Sequence, residues 1–390
     1  MNNISNDNQV ERNTGSILVS VVVPTKNRHA QLFETLKANI EVGALPNVEF
    51  VVADNSAEPL SAEKFEHCRS IFANFVYAND PATKSIIDNF NFGLGLASGK
   101  YVIFIGDDDF VLPELVPAAE FAQQKGIECL IYEPDKYYWE SCVFVGPTSL
   151  GPKCLIKNQP AQARAIDAAA ELRKSARNGF LTIESLPRAY HGLVDREKLG
   201  HLSGTTTKPI IGGSPDISMA VSLAIKNVRT YFWHTALSIY GASTGSGGGM
   251  TTSKTHLLPL HKATFLDKDF VAQWSQTIPH YWSEYTVFPA SALYIHRLYG
   301  VASTEFNLAA TYASILVNES QMARDVLRTF RALEPGLKSQ VARRFPSAFV
   351  RKLGGWTVRK MRDLRVLRKP DTTTVTHGIS HLDVLGTYSA

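Results

Sequence analysis

GKYVIFIGDDDFVLP, residues 99–113, joins a short apolar segment to three consecutive carboxylates. The segment Tyr101–Ile105 is apolar on both faces, as is typical of a strand buried within a parallel sheet. It runs directly into Asp107, Asp108 and Asp109. A buried strand that ends in acids holds them on a rigid edge, where their oxygens can bind a hard cation such as Mg²⁺ or Mn²⁺. Such cations are usually bound by protein carboxylates and by phosphate oxygens of a substrate at the same time. The stretch therefore predicts a nucleotide-diphosphate site.

Two upstream segments repeat this pattern of a buried strand followed by polar residues. Ile17–Val23 precedes the loop Pro24–Arg28, and Glu49–Ala53 precedes Asp54–Ser56. Strands alternate with helical spacings over residues 17–132, which predicts right-handed βαβ units and an α/β fold with a mainly parallel sheet flanked by helices. Ligands bind at the carboxyl ends of such strands, so the three polar loops should meet at one edge. Three acids alone would also fit a solvated turn, and the two partner loops favour a site.

Three segments resemble the family 2 glycosyltransferases of the GT-A (Rossmann-like) fold. They are VSVVVPTKNR at 19–28, VEFVVADNS at 48–56 and NFNFGLGLASGKYVIFIGDDDFVLP at 89–113. The resemblance is strong over residues 17–133 and fades towards residue 250. It implies transfer of a sugar from a nucleotide-diphosphate donor, with Mn²⁺ or Mg²⁺, to a glycan or lipid-linked acceptor. Inversion at the anomeric carbon and a role in surface polysaccharide assembly, such as capsule or lipopolysaccharide, are further implications.

The resemblance also assigns roles within the donor site. Asp54 would accept hydrogen bonds from the base, and Asp107 would act at the ribose. The full set of nucleotide- or donor-binding residues would be Pro24, Thr25, Lys26, Asn27, Arg28, Asp54, Asn55, Lys84, Asp107 and Asp108. The bare pattern allows other readings, because Asp54 also fits a turn-capping residue, and Lys26 and Arg28 also fit ordinary solvated charges.

Two positions depart from the family's pattern. Ala53 stands where the family often has a further acid, and Gly106 stands where its acidic signature often begins. Which of the three acids is the metal ligand depends on how they are aligned with the acidic signature of the family. Asp109 is the metal ligand that we predict, while an alignment anchored on Pro113 leaves Asp108 open as well.

A catalytic base is predicted in the second half of the chain, at Asp216 in GGSPDIS. Pro215 favours the first helical position, which places Asp216 in the first turn. There the helix dipole should keep its pKa low, so that the carboxylate can take a proton from the acceptor hydroxyl. A carboxylate that only complements the dipole would give the same pattern. Tyr190 and His191 are predicted on the acceptor side, for stacking on a sugar ring.

Two further features near this region have more than one interpretation. The stretch STGSGGG, residues 243–249, fits a phosphate-binding loop or lid, and it fits a plain linker equally well. His234 and His256 could each supply a third metal ligand, although a lone histidine is more often structural.

Charge is unevenly distributed along the chain. The net charge is +4, but residues 321–370 carry 14 Lys and Arg against 3 Asp and Glu, and the rest of the chain has a net charge of −7. Aromatic residues such as Phe345, Phe349 and Trp356 interleave with these cations, which is typical of interfacial amphipathic helices. We therefore predict peripheral contact with the inner face of the cytoplasmic membrane; a helical appendage packed on the body or in a dimer fits equally. No recognised nucleic-acid-binding module is present, so no nucleic-acid partner is predicted.

These patterns divide the chain into four parts. Residues 1–15 are predicted to be disordered, 16–260 to form the GT-A domain, 261–369 a helical basic region and 370–390 a flexible tail. Within the GT-A domain, residues 16–133 would be the nucleotide half and 134–260 the acceptor half.

The predicted location is cytoplasmic. No apolar run approaches the ~20 residues that span a bilayer, and the N-terminus lacks the apolar core of a signal peptide. Four widely spaced cysteines fit reduced thiols.

Two other functions are compatible with parts of this pattern. A sugar nucleotidyltransferase also has strand-end acids, but its glycine-rich first loop is replaced here by PTKNR. A non-catalytic sugar- or membrane-binding scaffold of the same fold is the other, and the intact acids argue against it.

Overall fold

The structure, a computed structural model, describes residues 16–83, 85–142, 153–155, 162–183, 185–202, 208–253, 257–366 and 374–376. The predicted disordered N-terminus, Lys84 and His256 lie outside the described residues, as does most of the predicted flexible tail. Within that tail, Thr374–Thr376 forms a short strand against Lys153–Leu155.

The secondary structure alternates between strands and helices in the first half and becomes mainly helical in the second. The strands are β1 (Val19–Thr25), β2 (Val48–Asp54), β3 (Phe75–Asn79), β4 (Tyr101–Phe104), β5 (Phe110–Val111), β6 (Cys129–Ile131), β7 (Asp135–Tyr138), β8 (Lys153–Leu155), β9 (Ala163–Ile166), β10 (Gly192–Asp195), β11 (Thr230–Trp233), β12 (Ser238–Ala242), β13 (Leu258–Pro259), β14 (Tyr281–Trp282) and β15 (Thr374–Thr376). The helices are α1 (His29–Ala38), α2 (Ile40–Gly43), α3 (Ala62–Ile71), α4 (Ile86–Leu96), α5 (Leu115–Lys125), α6 (Ala168–Arg177), α7 (Arg196–Gly200), α8 (Pro215–Ile225), α9 (Gly247–Ser253), α10 (Lys268–Ala272), α11 (Glu284–Leu298), α12 (Leu308–Asn318), α13 (Ala323–Ala332) and α14 (Pro335–Val366).

A mixed sheet forms the centre of the molecule. In the part of the chain that the structure describes, it has eight strands in the order β3-β2-β1-β4-β10-β6-β11-β9. β1 is parallel to both β2 and β4, and β2 is parallel to β3. β10 is antiparallel to its neighbours β4 and β6, and β9 is antiparallel to β11. The predicted mainly parallel α/β sheet flanked by helices is confirmed.

Helices cover both faces of this sheet because its central strands are apolar on both sides. Val21 and Val23 of β1 pack with Leu32 and Leu36 of α1 on one face. Val22 of β1 lies on the other face, in a cluster with apolar side chains of α4 and α8. Burial of both faces removes a large apolar area from water, which is the main favourable term in folding.

A second sheet sets the position of the acidic turn. β5 follows the acids at once and pairs antiparallel with β12, with Phe110 opposite Ile239. Sequence alone predicts a helix that opens at Pro113, but α5 begins at Leu115 and a two-residue strand precedes it. Phe110 is buried and stacks against Trp139, so packing on this second sheet favours the strand.

The C-terminal region is helical, as predicted. α12 packs against α13 and α14, and α11 packs against α8, the helix that begins beside Asp216. Among the described helices, none is long and apolar enough to cross a membrane.

Candidate active site

A cavity of about 640 Å³ opens at the carboxyl ends of β1 and β4. Its wall includes many of the predicted residues, namely Pro24, Thr25, Lys26, Arg28, Asn55, Asp107, Asp108, Tyr190 and Asp216. The structure therefore brings the predicted donor loops and the predicted base to one site. Asn27, Asp54, Asp109, His191 and His234, all described, are not part of that wall.

Asp107 is held by the loop that follows β1. Its Oδ2 accepts a hydrogen bond from the Thr25 hydroxyl at 2.6 Å, and its Oδ1 pairs with Arg28 Nη1 at 2.5 Å. Its backbone oxygen accepts from the Thr35 hydroxyl of α1 at 2.8 Å. The first and third strand-end loops are thus joined directly, as the shared sheet edge predicts.

Asp108 is tied to the end of β12. Its Oδ2 accepts a hydrogen bond from the Ser243 hydroxyl at 2.5 Å and lies 3.6 Å from Arg28 Nη2. Arg28 Nη2 also donates to Ser243 Oγ at 2.5 Å. Arg28 therefore lies between the two cavity-facing carboxylates and partly neutralises them.

Asp109 points away from the cavity and into the protein. It is fully buried, and its Oδ1 accepts from the Gly241 amide at 2.6 Å. Its Oδ2 accepts from the Gly106 amide at 2.5 Å and from Tyr190 Oη at 3.2 Å, and lies 3.0 Å from His191 Nε2. Both oxygens are engaged by protein groups, and Asp109, the predicted metal ligand, is not part of the cavity wall, whereas Asp108, the alternative left open by the sequence, is.

Packing three acids together perturbs their ionisation. Burial, followed by repulsion from Asp109 and Asp107, raises the pKa of Asp108 above its ordinary value. Burial also raises the pKa of Asp107, against the opposing effect of Arg28. The ionised forms of these carboxylates are unfavourable in this site. A bound cation that neutralises them would therefore stabilise the site.

The cavity-facing acids fit a hard divalent cation. Within the described residues, no cluster of three or more His, Cys, Asp or Glu is arranged to hold a metal. A cation shared with a diphosphate, however, needs only one or two protein carboxylates, because phosphate oxygens complete its coordination. Asp107 and Asp108 are the acids of this turn on the cavity wall. Both oxygens of Asp107 already pair with Thr25 and Arg28, so Asp108 is better placed to share an oxygen with a cation.

Asp54 is fully buried, and both of its carboxylate oxygens contact protein groups. Its Oδ2 contacts His29 Nε2 and Tyr77 Oη, each at 2.7 Å, and its Oδ1 accepts from the Ser56 amide at 2.9 Å. The last bond makes an Asx-type turn, the alternative that the sequence left open. Asn27 adopts a left-handed backbone, φ 56°, and its amide donates to Ser56 Oγ. Asn55, next to Asp54, is the member of this loop that lines the cavity.

Asp216 lies in the first turn of α8, with Pro215 at the helix start, as predicted. Asp216 lines the cavity and is partly exposed. Burial raises the pKa of Asp216 to about 6, an effect that His191 opposes and Glu284 reinforces. The expectation of a low pKa was wrong because loss of solvation outweighs the helix dipole at this position.

Several residues of the site escaped sequence reasoning. The Gly241 amide contacts Asp109 from more than 130 positions away along the chain. Phe265, Trp282 and Glu284 line the cavity from beyond the predicted GT-A domain boundary at residue 260. The glycine-rich stretch was noticed in the sequence as a candidate phosphate-binding loop. Four of its residues lie on the cavity wall, namely Gly245, Ser246, Gly247 and Gly248.

A mainly parallel α/β sheet with strand-end acids on the wall of a cavity of this volume agrees with the GT-A fold. Residues 20–159 match the family described as glycosyl transferase family 2. That segment is a family 2 glycosyltransferase domain, and the chain is a glycosyltransferase. The resemblance seen in the sequence is confirmed. No curated protein matches the chain.

Solved structures with similar chain traces include S. aureus TarS. TarS 1–349 in complex with UDP-GlcNAc is 14% identical, with 87% of this chain and 92% of that chain covered and a TM-score of 0.46. TarS 1–349 alone is 15% identical over the same shares, with a TM-score of 0.44. A longer TarS structure is 16% identical over 58% of this chain, with a TM-score of 0.41, and this chain spans 37% of its length.

Proposed function

We propose that this glycosyltransferase moves a sugar from a nucleotide-diphosphate donor to a glycan or lipid-linked acceptor. The observation that carries the proposal is that Asp107, Asp108 and Asp216 line one cavity of about 640 Å³. That volume suits a nucleotide sugar together with the reacting end of an acceptor. Surface polysaccharide assembly, such as capsule or lipopolysaccharide, is the setting that we propose.

The donor diphosphate is proposed to lie against the loop after β1 and the acidic turn. Lys26 and Arg28 supply positive charge on that wall, and Asn55 supplies an amide for the nucleoside. Mn²⁺ or Mg²⁺ is proposed to be held by Asp108, with Asp107 beside it. Such a cation stabilises the charge that builds on the departing nucleoside diphosphate.

Asp216 is proposed as the general base. It takes the proton of an acceptor hydroxyl while that oxygen bonds to the anomeric carbon of the donor sugar. The bond from the anomeric carbon to the phosphate oxygen breaks, and the nucleoside diphosphate leaves with the electron pair. One displacement of this kind inverts the anomeric centre. With a pKa of about 6, Asp216 is mostly ionised at neutral pH and still basic enough to accept the proton.

The basic C-terminal region is proposed to contact an anionic membrane surface. Phe345, Phe349 and Val350 of α14 are 39%, 48% and 64% exposed, next to exposed Arg343 and Arg344. Val341 and Ala348 of the same helix are buried. α14 thus packs on the body along one side and leaves apolar and cationic side chains exposed, a combination suited to an anionic bilayer surface.

A thermal-shift panel tests the donor site. Purified protein is titrated with the diphosphates of uridine, guanosine, adenosine and cytidine, with and without Mn²⁺. A ligand that binds the folded state raises the unfolding midpoint by mass action. We expect a Mn²⁺-dependent shift with one nucleotide, and its loss in Asp108→Ala. No shift with any nucleotide, or an undiminished shift in Asp108→Ala, would contradict the donor site described above.

A further inference from the structure

An aromatic pair forms part of the wall of the cavity that Asp216 also lines. The rings of Phe265 and Trp282 lie 5.1 Å apart between centroids, at 84° to one another. The Phe265 carbonyl accepts a hydrogen bond from the Ile86 amide at 2.9 Å, which fixes the pair to the start of α4. Trp282 lies in β14, paired with β13 through Leu258. Phe265 and Trp282 line the cavity together with Ile86, and the two aromatic residues are partly exposed.

Acidic and basic residues line the cavity from different elements. Asp216 lies in the first turn of α8, and Glu284 lies in the first turn of α11, which begins two residues after Trp282. Among the described residues of the wall, the basic side chains are Lys26 and Arg28, after β1, and Lys136 of β7. Arg28 is paired with the acidic turn, and β7 is hydrogen-bonded to β12, which contacts that turn. Lys26 and Arg28 therefore share the donor site with Asp107 and Asp108, whereas among the described wall residues α8 and α11 contribute the acids Asp216 and Glu284 and no basic side chain.

We propose that the acceptor is an uncharged sugar ring that stacks on Trp282 and presents one hydroxyl to Asp216. The proposal rests on the glycosyl transfer proposed above. An aromatic face carries negative charge density, so it attracts the C–H face of a sugar ring. Asp216 and Glu284 would repel a phosphate or carboxylate brought next to them in a cavity of low dielectric. The wall therefore selects against sugar acids and polyol phosphates as acceptors.

The test compares acceptors with a set of commercial nucleotide sugars that carry the nucleoside diphosphate identified by the thermal-shift panel. One set of acceptors contains neutral octyl glycosides of glucose, galactose, mannose and N-acetylglucosamine. The other contains octyl glucuronide and a ribitol phosphate oligomer. We expect transfer to at least one neutral glycoside, with a kcat/KM at least about tenfold above that of either anionic acceptor. Equal or faster transfer to an anionic acceptor, or no transfer to any neutral one, would overturn the proposal.

Variants of Trp282 separate stacking from a purely structural role. In Trp282→Ala we expect the acceptor KM to rise by up to about tenfold, the equivalent of the 0.5–1.5 kcal/mol typical of an aromatic contact. In Trp282→Phe, which keeps an aromatic face, we expect a change of less than about threefold. The Mn²⁺-dependent shift with the nucleoside diphosphate should persist in both variants. An unchanged acceptor KM in Trp282→Ala would overturn the stacking.

The two proposals fail in different ways. If no nucleotide binds the wild-type protein, the donor site itself is wrong, and the acceptor proposal falls with it. If the nucleotide binds and the sugar is transferred, but to anionic acceptors, only the acceptor proposal fails.

Discussion

Asp216 has a higher pKa than its position in the first turn of a helix predicts, and a higher pKa suits a general base. Burial raises its pKa to about 6, so its proton is lost only as the pH rises through that value. Because the base must be ionised to act, we expect kcat/KM to fall about tenfold for each pH unit below 6 and to level off above it. A pH profile of initial rates measures this.

The matching variant is Asp216→Asn, which keeps the size of the side chain and removes its basicity. We expect kcat to fall by about 10²- to 10⁴-fold, the usual contribution of a general base, while donor binding persists. A profile that stays flat down to pH 5 in the wild-type protein would contradict the assignment.

Asp109 and Asp108 are neighbours with different roles. In Asp109→Ala the amides of Gly106 and Gly241 lose their acceptor. At about 1–3 kcal/mol for each unsatisfied donor, we expect the free energy of unfolding to fall by about 2–6 kcal/mol. Urea unfolding of each variant measures this.

Asp108→Asn is the control for that experiment, since Asp108 lines the cavity and is close to two other acids. We expect no loss of stability without metal, because one of three mutually repelling carboxylates is removed. The opposite pattern, with Asp108→Asn unstable and Asp109→Ala stable, would restore Asp109 as the metal ligand.

At the scale of elements, the junction of β12 with the acidic turn leaves no space for a side chain at Gly241. A Cβ added there would lie 1.7 Å from the backbone oxygen of Asp108. We therefore expect Gly241→Ala to destabilise the protein by more than about 3 kcal/mol, beyond the usual cost of overpacking. Thermal unfolding measures the change.

Gly95→Ala is a matched control in α4, where an added Cβ meets nothing within 4 Å. We expect that variant to be more stable by about 0.5–1 kcal/mol, since alanine favours a helix interior over glycine. Equal stability of the two variants would show that β12 does not support the acidic turn as described.

Local patterns predicted the first half of the fold well. β1, β2 and β4 are apolar on both faces, so their burial and parallel pairing follow from the sequence, with ends misplaced by one or two residues. The antiparallel strand β10 was not predicted, because four residues carry too little periodicity to identify a strand.

The candidate site was predicted in outline and not in its contacts. The sequence identified the acidic turn and Asp216, and both line the cavity. Which acid faces the cavity is decided by the Gly241 amide and Ser243, in a strand pairing that joins residues far apart in the chain. The pKa of Asp216 depends in the same way on residues such as Glu284 of α11, which no local pattern connects to it.

At the scale of the whole molecule, the exposed part of α14 is expected to bind anionic bilayers. Replacing Phe345 and Phe349 together by serine should weaken binding to phosphatidylglycerol vesicles, because apolar area that enters the bilayer surface is lost. Wild-type binding should also weaken with added salt, which screens the arginines. Vesicle co-sedimentation measures both effects.

A control for that experiment is Val301→Ser, which removes an apolar side chain that is 41% exposed and lies outside α14. We expect it to bind vesicles as the wild-type protein does. Equal binding by the Phe345/Phe349 double variant would exclude this part of α14 as the contact.

The central claim is transfer of a sugar at the cavity shared by the acidic turn and Asp216. Its most direct test incubates the protein with nucleotide sugars of the nucleoside diphosphate found by thermal shift, Mn²⁺ and a neutral glycoside, and follows the products by mass spectrometry. We expect equal amounts of nucleoside diphosphate and elongated glycoside, with both products lost in Asp216→Asn while donor binding persists. Formation of pyrophosphate instead, no elongated glycoside, or wild-type rates in Asp216→Asn would contradict the account.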